Sequence, residues 1–503
     1  MRLRSVAQIA LSAWTAVAIL FASLRTGWFG DDASYANLRY AVATGRVTIL
    51  GAARASYDTW LTTNGRWYPG LVAEKYAAFG IFEDRFAYKA FLIAMTLAAL
   101  AAAWLLLSEL ANSRFASLSI LGTIACFQIR GYHDPFIAYN GMIQAVAICA
   151  FVSLSAFLRY VESGKQTALI ASIAWYVVAC ATYEVAYLFA PLYFTVALAR
   201  RDARRSLGAT LPFAAIGFAF VALAVVLRAR AGVDPASPYA IHPDAAAYGS
   251  ALVDQVTAAL PLSYLILNPS KIFLPFWLGF GIRPDPLAFV VAAACAFAVM
   301  HRAPIERLAP KLRGAMAGLG LSLVVLPALE LPLLLKYQTE LKPGLGYLPV
   351  LIEYFGIGIL IALVARAAAD SPRGRSALIV AFGIVAALSG GANEKLADIL
   401  EVPYLASRDG FERALAHGLL ATVPDGATLA IVPQFPWVCD DGRCIDDLNT
   451  SDVVAGLAHK RVRIVEPSAA AYVASRAAGS GTWSASRSGA RTVSANPAAG
   501  RAR

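Results

Sequence analysis

Charge is what this sequence has least of. Only 15% of its 503 residues are charged, while 59% are hydrophobic. Charged residues normally make up about a quarter of a soluble chain, so no soluble fold of this length covers that much apolar surface. Several chemical signatures are missing too. There is no Gly-rich phosphate loop ending in Lys-Ser/Thr, no HExxH pair and no nucleophile elbow. Nucleotide-sugar chemistry of the soluble kind on the cytoplasmic side is therefore disfavoured. An internal repeat is absent as well.

What the chain does have is long apolar runs of about 16 to 22 residues. At 1.5 Å per residue these match a hydrocarbon core of about 30 Å, so a polytopic membrane protein is expected. The first run follows MRLR. A basic start and an apolar centre also describe a signal peptide, but the run is long and lacks a clear small-x-small cleavage site, so it is read as a retained helix. The net charge of +11 is spread over short segments between apolar runs: RYVESGK, ARRDARR, HRAPIERLAPKLR and RAAADSPRGR. The positive-inside rule makes these cytoplasmic. Nucleic-acid binding would need the same charges gathered on one face, so no nucleic-acid partner is expected.

Alternating sides gives about eleven spans, near residues 6–24, 87–107, 114–129, 140–158, 167–182, 185–199, 207–227, 284–300, 314–335, 346–366 and 376–391. The expected fold is all-α and polytopic over residues 1–391, with outer loops 25–86, 130–139 and 228–283. In the first loop, DDASYANLRYAVATG and GLVAEKYAAFGIF carry apolar residues at helical spacing, which suits helices lying at the interface with lipid on one face. A small α/β extracytoplasmic domain is expected over 392–474, from helical periodicity at 394–421 and strand patterns in ATLAIVP and RVRIVEP. Residues 475–503 are rich in Gly, Ser, Ala and Arg and read as disordered.

Of the six cysteines, Cys126, Cys149, Cys180 and Cys295 lie in apolar runs and read as small packing residues. Cys439 and Cys444 bound CDDGRC in a polar outer loop, where a disulfide is expected in an oxidising compartment.

The candidate catalytic residues are Asp31 and Asp32 in WFGDDASY, just past the first span. One aspartate suits a helix N-cap. The other is then left for general-base work on an acceptor hydroxyl, or for a divalent cation that neutralises a phosphate. His133 and Asp134 in GYHDPF form a second candidate pair that would lie across the cleft; Asp134-Pro135 also fits a simple turn. Glu184 is a third candidate, because an acid in a minimal turn between spans needs a partner. If a metal is present, magnesium or manganese, its ligands would come from Asp31, Asp32, His133 and Asp134.

A first span followed by an outward loop that opens on an acidic pair, then amphipathic segments, resembles the GT-C class of integral membrane glycosyltransferases. TTNGRWYPG likewise looks like the small-residue, Arg and aromatic patch of that loop in many members. The resemblance covers roughly residues 6–390 in architecture. It implies catalysis by the first-loop acids on the outer face, a polyprenyl-phosphate-linked sugar donor, and a glycan, lipid or protein acceptor among membrane lipids. GLGYLPV departs from an Arg-Tyr-x-x-Pro stretch of some members, with Gly346 at the arginine position. The donor phosphate would then fall to Arg39, Arg66, Lys75, Arg283, Lys336 or Lys342, each of which also fits a residue snorkelling to the interface. The expected site is a bacterial inner membrane, with a cytoplasmic N-terminus and an extracytoplasmic C-terminal domain. Two rival readings stand beside this one: a transporter or flippase of a lipid-linked or small polar substrate, and a polymerase or ligase of surface polysaccharide.

Overall fold

The structure, a computed structural model, describes residues 3–28, 32, 35–130, 133–237, 239–240, 244–267, 282–301, 307–329, 341, 343–432, 447–465, 467–476 and 482–488. The chain divides into two compact units. One comprises Met1–Asp32 and Ile49–Glu401, and the other Ala33–Thr48 and Val402–Arg503.

The first unit is a helical bundle. Its helices are α1 (Leu3–Leu20), then, beyond a short α2 (Leu38–Ala43) that belongs to the other unit, α3 (Ile49–Thr62), α4 (Pro69–Ile81), α5 (Arg85–Leu110) and α6 (Ser113–Ile124). The chain continues through α7 (Met142–Ser163), α8 (Gln166–Thr182), α9 (Ala190–Leu198), α10 (Ala203–Ala231), α11 (Ala245–Ala258) and α12 (Ser263–Leu267). It ends with α13 (Pro286–Met300), α14 (Pro310–Ala328), α15 (Val350–Ala368) and α16 (Pro372–Ala416).

Seven helical stretches among the described residues are long and apolar enough to cross a membrane. The chain is a multi-pass membrane protein, all-α but for a small C-terminal α/β portion. Each expected span coincides with a helix, but α6, α8, α9 and α13 are shorter than a full crossing. Polar caps place the starts: Asp84, Asn112, Asp202 and Asp285 each accept from the first-turn amides of α5, α6, α10 and α13. Glycines set the closest helix approaches. A Cβ on Gly358 of α15 would lie 2.2 Å from the Thr123 hydroxyl, and one on Gly356 would lie 2.5 Å from the Gly320 carbonyl of α14. Small residues let backbones meet where lipid supplies no hydrophobic drive.

The last span does not stop at residue 391 as expected. α16 continues through Ser389-Gly390-Gly391 to Ala416. Those glycines make room for a neighbour: a Cβ on Gly391 would lie 2.2 Å from the Arg283 carbonyl, and the Asp285 amide bonds the Ala387 carbonyl at 2.9 Å.

The second unit contains α2, the end of α16, and a four-stranded sheet in the order β2-β1-β3-β4. β1 (Thr428–Val432) pairs in parallel with β2 (Arg463–Ile464) and β3 (Tyr472–Arg476), and β3 pairs antiparallel with β4 (Trp483–Arg487). Helix α17 (Asp447–Ala458) links β1 to β2. The expected α/β pattern of ATLAIVP and RVRIVEP is therefore present. β4 lies in the tail whose composition reads as disordered; Trp483 packs its ring 5.0 Å from that of Phe411, which gives the strand an apolar anchor.

Two first-loop expectations change. The helix of DDASYANLRYAVATG does not turn its apolar face to lipid. Tyr40 is buried, and a Cβ on Gly456 of α17 would lie 2.7 Å from the Tyr40 ring. In α4, Val72, Lys75, Tyr76, Ala78 and Phe79 are buried, so its apolar face meets protein, while Ile81 stays exposed.

Candidate active site

Chain direction brings the starts of α5 and α7 and the ends of α8 and α10 to one end of the bundle. Asp32 sits there, 1% exposed. The Tyr88 hydroxyl, in the first turn of α5, donates to its Oδ2 at 2.6 Å, and the Tyr139 amide donates to its Oδ1 at 3.1 Å. Tyr88 in turn accepts from the Asn140 amide at 2.8 Å. Its ring lies against Trp28 at 5.0 Å and Phe79 at 5.1 Å, a wall that excludes water. Lys89, wholly buried beside Tyr88, donates to the Ile137 carbonyl and lies within electrostatic reach of both Asp32 and Asp134.

The loop between α6 and α7 is held in a strained conformation. His133, Tyr139 and Asn140 have φ of 45°, 68° and 46°, in the left-handed region that disfavours residues with a Cβ. Strain of this kind collects at functional sites because the surroundings over-determine it. His133 Nδ1 shares a hydrogen bond with the Tyr139 hydroxyl, and its ring lies 4.6 Å from Tyr347. Tyr139 thus joins two expected site residues: its amide meets Asp32 and its hydroxyl meets His133.

Asp134 does something else. Its carboxylate accepts from the Phe136 amide at 2.7 Å and from the Arg130 amide, so it staples the loop. Burial pushes its carboxyl up to about 7, against the opposing pull of the Arg130 guanidinium and the two amides. Arg130 is itself buried, donating from Nη2 to the Ala258 carbonyl at 2.6 Å with its guanidinium 5.4 Å from the Tyr354 ring.

Glu74 on α4 is the acid the sequence reading passed over. Both of its carboxylate oxygens are buried and lack a hydrogen-bond partner among the described residues. Burial raises its carboxyl from 4.5 to about 8. A Cβ on Gly141, where φ is +84°, would lie 3.4 Å from Glu74 Oε1. The acid is therefore aimed at the same strained loop that meets Asp32.

Glu184 follows α8 and is 2% exposed, held in an ion-pair cluster. Arg66 Nε donates to Oε1 at 3.1 Å and Arg66 Nη2 bonds Oε2; Arg228 Nη2 donates to Oε1 at 2.7 Å; the Tyr68 hydroxyl donates to Oε2 at 3.0 Å. Arg66 also lies over the rings of Tyr68 at 4.4 Å and Tyr239 at 5.0 Å. Gly65 permits this, since a Cβ there would lie 2.4 Å from the Arg228 Cα. Glu184 and Arg66, expected as separate site elements, are partners.

The other candidate cations are scattered. Arg39 in α2 reaches Glu412 at 3.5 Å. Lys75 is buried, donating to the Ser56 hydroxyl at 3.1 Å beside the Tyr76 ring. Arg283 is exposed. Asp31, Lys336, Lys342, Cys439 and Cys444 lie outside the described residues. No three His, Cys, Asp or Glu side chains gather to hold a metal ion among the described residues. Of the residues expected as ligands, Asp32 and Asp134 accept from donors of the protein, and His133 Nδ1 shares a hydrogen bond with the Tyr139 hydroxyl.

Sequence reasoning missed Glu74, Tyr88, Lys89, Arg130 and Arg228. Lys89 carried a signal, because it falls inside the expected span 87–107 and an ionisable residue in a span marks a site by default.

The chain is similar to the crystal structure of ArnT from Cupriavidus metallidurans bound to undecaprenyl phosphate, with 12% identity and a TM-score of 0.43, over 91% of this chain and 86% of that one. At that identity and score the likeness carries nothing about activity, donor or acceptor. No protein-family model and no curated protein matches the sequence.

Proposed function

We propose that the chain is a GT-C-type glycosyltransferase that moves a sugar from a polyprenyl-phosphate-linked donor to a hydroxyl of a glycan, lipid or protein acceptor on the outer face of the membrane. The observation that carries this reading is Asp32: a buried carboxylate in the first outer loop, oriented by Tyr88 and by an amide of a strained loop. Both of its named partners donate to it, which orients the carboxylate as a base would need.

The acceptor oxygen attacks the anomeric carbon, and its proton passes to the Asp32 carboxylate. The bond from that carbon to the phosphate oxygen breaks, and its electron pair leaves with the polyprenyl phosphate. Inversion at the anomeric carbon follows. The leaving phosphate gains negative charge and needs a cation; Arg66 serves Glu184 and Arg39 faces Glu412, while Lys75, Arg283, Lys336 and Lys342 stand beside them as candidates.

Purified protein supplied with defined polyprenyl-phosphate sugars and acceptors, followed by mass spectrometry, tests the reading. Asp32→Asn is expected to lower turnover by about 10²–10⁴ while expression stays normal. Full activity in both Asp31→Asn and Asp32→Asn would sink the base assignment. A lipid moved across vesicles with its headgroup unchanged would point to a transporter, and transfer of a whole oligosaccharide to a ligase.

A further inference from the structure

Gly346, where GLGYLPV departs from an Arg-Tyr-x-x-Pro stretch, lies in the loop before α15, and the structure gives the glycine a reason. Gly344 and Gly346 take φ of +78° and +63°, the left-handed region that glycine enters freely. A Cβ on Gly346 would lie 2.7 Å from the Ala258 Cβ, at the end of α11. An arginine has no room there. The carbonyl of the same Ala258 accepts from Arg130 Nη2 at 2.6 Å. Helix α11 therefore gathers two loops, one leading to His133 and one carrying Tyr347, whose rings lie 4.6 Å apart.

One side chain ties the second loop down. Gln255, on α11 and wholly buried, uses both ends of its amide. Its Oε1 accepts from the Tyr347 amide at 2.7 Å, and its Nε2 donates to Glu353 Oε1 at 2.9 Å. Glu353, in the first turn of α15, is also wholly buried. An acid inside a span is costly and marks a functional site by default. Glu353 Oε2 has no hydrogen-bond partner among the described residues, and the Arg130 guanidinium lies within electrostatic reach.

We propose that Gln255, braced on Glu353, is a positioning residue for His133: it pins the Tyr347 main chain so that the Tyr347 ring packs on the imidazole. His133 is thereby held where it bonds the Tyr139 hydroxyl, and the Tyr139 amide meets Asp32. Glutamine suits the task because its amide offers an acceptor and a donor in fixed geometry. An apolar residue there would leave a main-chain amide and a carboxyl unpaired in a dry interior. The step from His133 to sugar transfer rests on Asp32 being the base.

NMR of histidine-labelled, full-length protein in nanodiscs tests the proposal without any turnover. The His133 signal is assigned by its loss in His133→Gln. It should shift in Tyr347→Leu, which removes the ring beside the imidazole. Gln255→Asn, one methylene too short to span both partners, should shift it in the same direction. That variant should also speed exchange of the Tyr347 amide about tenfold, roughly the worth of one buried hydrogen bond. The swapped pair, Gln255→Glu with Glu353→Gln, offers the same donor and acceptor in reverse order and should return both readings to wild type. Such a rescue separates a specific bond from a general loss of packing. A His133 signal unmoved in Gln255→Asn or in Tyr347→Leu overturns the proposal, as does a swapped pair that restores neither reading. Transfer that survives Asp32→Asn removes the base assignment and leaves these readings standing, so the two failures are distinguishable.

Discussion

Two buried carboxylates at the same end of the bundle are treated in opposite ways. Glu184 receives two guanidinium groups and a phenol, Arg66 and Tyr68 from the loop between α3 and α4 and Arg228 from the last turn of α10. Asp32 receives a phenol and a backbone amide, with the ammonium of Lys89 farther off. The loop facing Asp32 is strained, and a second acid, Glu74, points at that loop with no hydrogen-bond partner among the described residues. Taking one partner from a carboxylate fixed between two buried arginines leaves charge uncompensated. The two carboxylates thus differ in their partners, although the sequence presents both as acids at the ends of spans.

The sharpest way to break this comparison is Glu184→Gln. It leaves Arg66 and Arg228 buried together without their counter-ion, and stability should fall by about 3–5 kcal/mol. Thermal unfolding in detergent measures it, and a melting temperature that does not move would contradict a structural role. The effect of Glu74→Gln should be smaller and depend on pH. Burial raises the Glu74 carboxyl from 4.5 to about 8, so the folded chain holds a proton that the unfolded chain has lost between those values. The associated stability is present at low pH and is lost as pH rises towards 8. Melting of the wild type should therefore drop more steeply from pH 5 to 8 than melting of Glu74→Gln. Parallel curves would show that Glu74 is already ionised. Asp134 is raised in both proteins, so it cancels from the difference. The smallest effect is expected at Arg25, whose partners Glu394 at 3.6 Å and Asp398 at 3.1 Å are all well exposed. Arg25→Ala should cost about 0–1 kcal/mol, less still at high salt.

The spans were legible because apolar length is dictated by the bilayer, and β1 and β2 because ATLAIVP and RVRIVEP alternate with helix. The continuity of α16 was not, since Ser389-Gly390-Gly391 reads as a helix end until the chain at Arg283 is seen passing over it. Asp32 and His133 were legible as polar residues between apolar runs, and Tyr139 bonds both. Glu74 was not, because a single acid within an amphipathic pattern looks like a solvated face. Only tertiary structure brings it beside Gly141, far away in sequence. Arg66 and Glu184 were each noticed singly, and only tertiary structure shows that they neutralise each other.

Tyr139 offers one more consequence. Its main chain grips the carboxylate and its side chain grips the imidazole, so acid and imidazole share one mechanical degree of freedom. Any rotation of that single residue displaces both groups together. A substitution at this one residue that shifts its main chain and its side chain therefore disturbs both contacts at once.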